Sequence, residues 1–147
     1  MTQQDVTRVL KENIEAFNAG DWQRFKATLT QDSVYEETGT QRRIQGADEI
    51  VKADQEWRKA FHDARGTIRN IFASGNSVVA EITWEGTHRG AIQMPGNSIP
   101  ASGKRVKLPA SMVATVQGGK IKETRHYFDM VTMLQQVGAM EEAGARR

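Results

Sequence analysis

The chain contains no cysteine, which excludes a disulfide framework, thiol catalysis and any cysteine-ligated metal centre. Its three histidines stand at positions 62, 88 and 126, without zinc-type spacing, so no metal site is expected. No apolar run approaches the roughly 20 residues that a membrane-spanning helix needs. Neither charge is in excess: 20 lysines and arginines face 18 acidic residues, a net charge of +2. The one local basic cluster, Lys104, Arg105 and Lys107, sits in an alternating segment where exposed basic residues are ordinary. Nucleic-acid binding therefore lacks its electrostatic footprint. The opening stretch MTQQDVTRVLKENIEAF is polar and amphipathic, without the apolar core of a signal peptide, and a cytoplasmic address is expected.

What is present is an ordinary globular composition, 38% hydrophobic and 26% charged over 147 residues. This is enough chain for one domain with a real core. That domain is expected over residues 1–138, with AMEEAGARR (139–147) as a frayed tail. Val6, Val9, Leu10, Ile14 and Phe17 recur at helical spacing, and Gly20 predicts the end of that helix. Asp21 reads as the N-cap of a short second helix carrying Trp22, Phe25 and Leu29. An extended piece, SVYEET, follows. A third helix opens at Gly46 and Asp48 and carries Ile50, Trp57 and Phe61 on its buried stripe.

After FHDARG the period changes from 3.6 to about 2. TIRNIFASG, SVVAEITWEGTH, KRVKLPASMVATVQ and KIKETRHYFDM read as four strands joined by hairpin-type turns at Ser74-Gly75-Asn76 and Gln117-Gly118-Gly119. Val106, Leu108, Ala110, Met112, Ala114 and Val116 form one unbroken apolar face. Helices first and strands after them predict an α+β fold with the helices against one face of an antiparallel sheet. The segment Arg89–Gly103 is too long for a plain hairpin, and a binding loop, a lid and disorder all fit it.

Several residues do not fit a plain core. Thr124, His126 and Phe128 share one face of the last strand, with Arg125, Tyr127 and Asp129 on the other. His126 is either a proton shuttle or a histidine satisfied by a structural hydrogen bond. Asp54 falls in the stripe of Ile50, Trp57 and Phe61, where a carboxylate costs free energy unless it is paired or faces a polar cavity. It is either a wet edge of the stripe or a group that works with His126. In the early strand period 2 separates Glu36 from Tyr35 and Glu37. A buried carboxylate there would have a raised pKa and serve as an acid. Tyr35 is a candidate polarising donor. His88 shares parity with Trp84 ahead of the long loop, as a pocket-rim residue or a support for the loop backbone. Phe17, Trp57, Trp84, Met112 and Phe128 are core by default, and some should line a cavity suited to a hydrophobic ligand.

The segments FNAGDW, VYEE, FHDARG, WEGTHRG, GKRVKLP and GGKIKETRHYFDMVTMLQQVG resemble, in order and rough spacing, the SnoaL-like polyketide cyclases of the nuclear transport factor 2-like superfamily. The resemblance spans about residues 5–138. It implies a cone-shaped α+β barrel with three N-terminal helices on a curved antiparallel sheet around a deep apolar pocket, and a homodimer packed through the sheets. It also implies cofactor-free chemistry, in which an aspartate of the last strand is the acid/base of an aldol ring closure. Aligned on QQVG, that aspartate falls on His126, while Asp129 matches a second one. The expectation is an acid/base cyclase or isomerase acting on a small hydrophobic carbonyl compound. His126 would carry the proton, with Asp54, Glu36 or Glu37, and Tyr35 assisting, and Phe17, Trp57, Trp84, His88, Met112 and Phe128 would hold the substrate. A non-catalytic binder and a water-activating hydrolase are the alternatives, and no cofactor, metal, nucleic-acid or membrane partner is expected.

Overall fold

The first helix is fixed at both ends by local chemistry. Thr2 and Asp5 form a reciprocal capping box at its start, which satisfies two amide donors that the helix leaves open. Gly20, with φ of 66°, receives the chain in the left-handed conformation at its end. The computed structural model describes residues 2–94 and 96–140. In it α1 spans Gln3–Ala19, α2 Trp22–Ala27, β1 Leu29–Glu37, β2 Arg42–Gln45 and α3 Ala47–Ala60. The strands β3 Arg65–Ser74, β4 Ser77–Thr87, β5 Ile92–Met94, β6 Asn97–Ile99, β7 Arg105–Gln117 and β8 Lys120–Phe128 follow, and α4 Met130–Gln136 closes the series. Asp21 caps α2 through the Arg24 amide at 3.1 Å, as its position predicts.

Six strands make one curved sheet in the order β2-β1-β8-β7-β4-β3. The expected all-antiparallel sheet is corrected in one place: β1 runs parallel to β8, with Tyr35 opposite Thr124 and Glu37 opposite His126. The sheet is therefore mixed. The alternation in β7 behaves as read, with Val106, Leu108, Ala110, Met112, Ala114 and Val116 all turned inward. Helices α1 to α3 cover that inner face, and Val6, Leu10, Ile14 and Phe17 of α1 pack against Val78, Ala80, Ile82 and Ala114.

The strand β2, the helix α4 and the β5–β6 hairpin are absent from the sequence reading. Phe128 ends β8, because Asp129 turns its carboxylate to the Val131 amide and the Thr132 hydroxyl and starts α4. The 89–103 segment contains the β5–β6 hairpin, whose Ile92 and Ile99 are buried with Phe61, Leu108 and Met133 in a second apolar cluster. This segment is tied to the end of α3 by Arg89 and Gly90 amides on the Ala60 carbonyl, at 3.0 and 3.1 Å. A Cβ at Gly90 would lie 2.2 Å from the Lys59 carbonyl oxygen, a backbone atom that cannot swing aside. Gly90→Ala is accordingly expected to cost about 2 kcal/mol, the scale of a forced overpacking, read as a lower urea midpoint at constant m.

Among the described residues no helix is long and apolar enough to cross a membrane. The expected frayed tail lies outside the described residues from 141 onward.

Candidate active site

The curvature of the sheet and the three helices leave a cavity of about 90 Å³. Asn13 and Phe17 of α1, Tyr35 of β1, Asp54 and Trp57 of α3, Trp84 of β4, Met112 of β7, and His126 and Phe128 of β8 all face it. The fold thus brings eight of the ten expected site residues to one place. Apolar side chains dominate the wall, so each polar group on it must be accounted for.

Most of these polar groups belong to one hydrogen-bonded chain. The Trp84 indole nitrogen is 3.1 Å from His126 Nε2. An indole N–H can only donate, so Nε2 is the acceptor and the ring proton sits on Nδ1. Nδ1–H then donates to the Tyr35 hydroxyl at 2.7 Å, and Tyr35 donates onward to Glu37 Oε2 at 2.9 Å. The Trp57 indole donates to the same oxygen at 2.6 Å. Glu37 Oε1 accepts from Thr40 at 2.8 Å and from Arg42 Nε and Nη2 at 3.0 and 2.8 Å. Direction is set at both ends of the chain, by a donor-only indole and by a carboxylate that only accepts.

Titration behaviour follows from these contacts. Burial pushes the Glu37 carboxyl up, but Arg42 and the Trp57 and Thr40 hydrogen bonds outweigh it, and the group lies below its ordinary value. Burial lowers His126 to about 4 against the partial opposition of Glu37, and a second ring proton would also meet the Trp84 N–H head-on. The histidine is neutral near pH 7. Burial, then the charges of Glu37 and Asp54, hold the Tyr35 hydroxyl well above its usual range.

Asp54 differs from all of these. Its carboxyl makes no hydrogen bond or ion pair among the described residues, its oxygens are not fully buried, and the residue lines the cavity. Burial first, then the nearby Glu37 charge, raise its pKa well above the ordinary carboxylate value, with Arg42 offsetting part of the shift. Its surroundings thus favour the protonated form over what a solvated carboxyl would show.

Two expected site residues lie elsewhere. Glu36 points to the outer side of β1, 43% exposed and 3.9 Å from Arg43. Strand alternation turns Glu37, not Glu36, inward with Tyr35, and Arg42 keeps that glutamate ionised instead of acidic. His88 is fully buried but does not line the cavity. It stacks on Phe61 with centroids 5.4 Å apart, and its Nδ1 accepts from the Ser102 amide at 3.2 Å. It therefore supports the 89–103 segment. Asn13, Arg42 and the Trp57 N–H escaped the sequence reading. Positions 6, 10, 13 and 17 form one helical stripe, and that spacing alone flags Asn13. Among the described residues no cluster of three or more His, Asp or Glu is placed to hold a metal ion.

A family model of SnoaL-like polyketide cyclases matches residues 7–137. The chain belongs to that family. Solved structures share the SnoaL-like fold over nearly the whole chain. IdmH from Streptomyces antibioticus is 25% identical with a TM-score of 0.76, over 90% of this chain and 98% of its own. TsrD from Streptomyces laurentii is 21% identical with a TM-score of 0.81, over 95% and 98%. An LEH-like epoxide hydrolase of M. tuberculosis is 23% identical with a TM-score of 0.73, over 97% and 96%. No curated protein matches the chain in sequence.

Proposed function

We propose that this SnoaL-like protein is a cofactor-independent enzyme that moves a proton on a small, uncharged, hydrophobic carbonyl compound, with Asp54 as the acid/base. The observation that carries this reading is a cavity-lining carboxyl with a raised pKa and no hydrogen-bond partner among the described residues. In its acid form Asp54 gives its proton to the carbonyl oxygen. The carboxylate so formed is a stronger base than a solvated one, because burial disfavours its charge, and it takes the proton from the adjacent carbon. The product is the enol, Asp54 is again protonated, and no proton is lost or gained. Attack of that enol on a second carbonyl would be a cyclisation; its reprotonation at another carbon would be an isomerisation.

His126 is given a different part. Both its ring nitrogens are engaged by side chains, so it forms a fixed neutral wall and leaves the proton transfer to Asp54. The same engagement favours a second reading, a ligand-binding protein without turnover. Pairing of two copies through the outer sheet face belongs to the proposal, supported by Phe72 and Tyr127, 57% and 43% exposed.

Deuterium uptake at the α-carbons of acetophenone and cyclohexanone in D2O, followed by proton NMR, tests the proposal. The wild type is expected to accelerate uptake, and Asp54→Asn to lose at least about a hundredfold of that acceleration, the lower end for a positioned acid/base. Because the acid form starts the reaction, the rate should fall as pH rises through the raised Asp54 pKa. Equal rates in the two proteins would sink the catalytic role of Asp54. Binding of the ketones without any acceleration by the wild type would select the binder.

A further inference from the structure

Asn13 is buried on the inner face of α1 and lines the cavity. Its amide orientation is fixed by a second residue. The Thr28 hydroxyl lies 2.8 Å from Asn13 and 2.6 Å from the Phe25 carbonyl oxygen. A hydroxyl carries one proton, and the carbonyl can only accept, so Thr28 spends its proton on Phe25. The group that Asn13 turns to Thr28 must then be the donor, Nδ2. The carbonyl Oδ1 is left over. It has no hydrogen-bond partner among the described residues. Nor is it sealed away, because the only buried side-chain polar atom without a partner among the described residues is His88 Nε2. The atom keeps some accessible surface, and the residue that carries it lines the cavity.

Apart from the Asp54 carboxyl, which makes no hydrogen bond among the described residues, the side-chain donors of the wall are already engaged. The Trp57 indole is committed to Glu37, the Trp84 indole to His126, and the Tyr35 hydroxyl to Glu37. The Arg42 guanidinium is paired with Glu37 at 2.8 Å. A ligand made only of carbon and acceptor oxygens would cover Asn13 Oδ1 with apolar surface and leave a buried acceptor unpaired, which is costly. A ligand with a hydroxyl or N–H at that end would not.

We infer that Asn13 Oδ1, oriented by Thr28, is a specificity subsite that accepts a hydrogen bond from an O–H or N–H group of an otherwise apolar, uncharged ligand. The subsite is on a different helix from Asp54, α1 against α3, and does not require Asp54 to turn anything over. It sorts ligands by the presence of a donor, distinguishing an alcohol, phenol or enol from the corresponding ether.

Phenol and anisole, which share the aromatic ring and differ in the donor, are suitable probes by calorimetric or NMR titration. The wild type is expected to bind phenol about tenfold more tightly than anisole, the ratio that 1.4 kcal/mol gives and within reach of one buried hydrogen bond. Asn13→Leu, close in shape but without an acceptor, should bring the two within about twofold, because anisole no longer covers an unpaired acceptor and phenol no longer finds one. Asn13→Ala serves the same comparison if leucine disturbs the fold. A wild type that prefers neither probe, including one that binds neither at millimolar concentration, overturns the inference. So does a phenol preference that persists in both variants. The titration involves no reaction, so its failure and the failure of Asp54 in deuterium exchange are separate results.

Discussion

Glu37→Ala is expected to destabilise the protein by about 3–5 kcal/mol, the range for removing one partner of a buried charge pair. Glu37 is completely buried as a side chain, while Arg42 keeps 19% of its surface in water. The carboxylate accepts five hydrogen bonds, from Tyr35, Thr40, Trp57 and two nitrogens of Arg42. Removing it strands donors on three elements at once. Arg42 can turn toward solvent or Glu56, 3.9 Å away, but the Trp57 and Tyr35 donors lie inside the fold and cannot. Denaturant unfolding measures the loss, and a change below about 1 kcal/mol would mean that the network is incidental, no stronger than an exposed pair. The pH dependence carries the same signature. The folded pKa of Glu37 is depressed below 4.5, so its contribution is present above pH 4.5 and disappears as pH falls through the folded value. Glu37→Ala should lack that part of the acid limb.

That network also marks the limit of what the sequence made legible. The parity of β8 grouped Thr124, His126 and Phe128 on one face without choosing the buried side, whereas the apolar alternation of β7 needed no structure to be read. In β7 each residue's side is set by its immediate neighbours. In β1 the parity grouped Tyr35 with Glu37, but choosing the buried side required Arg42 of β2 and the parallel neighbour β8, about 90 residues downstream. Nothing local encodes a parallel pairing across that distance. Asp54 stood out because a carboxylate interrupts an apolar stripe. Its raised pKa depends on burial and then on the charge of Glu37, both of which come only with the fold. Asn13 was hidden by its polar context, and α4 by Asp129, whose side chain reads equally as the end of a strand and the cap of a helix.

The second large effect concerns His126. Its folded pKa of about 4 against an ordinary 6.5 means that the unfolded chain takes up the proton first as pH falls. The stabilisation is complete above about pH 6.5 and is lost between there and about pH 4, by about 3 kcal/mol at 1.36 kcal/mol per pH unit. Asp54 works in the opposite sense. Its folded pKa is raised, so its contribution is full below 3.8 and declines as pH rises through the folded value. The raw stability curve mixes the two, and the difference between wild type and His126→Gln isolates the histidine. A flat difference between pH 4 and 6.5 would refute the buried neutral state. Trp84 decides whether burial acts alone. If its N–H holds the Nδ1–H tautomer, Trp84→Phe removes the donor facing Nε2 and should raise the histidine pKa, which two-bond proton–nitrogen NMR couplings can follow together with the tautomer. Gly66→Ala makes the same test without substituting either partner, since a Cβ there would sit 2.6 Å from the Trp84 ring and displace the indole. Both variants should move the titration the same way, because both free Nε2. A histidine so released would gain a base at the cavity wall, and deuterium exchange in Trp84→Phe would then rise even where Asp54 has been replaced by asparagine.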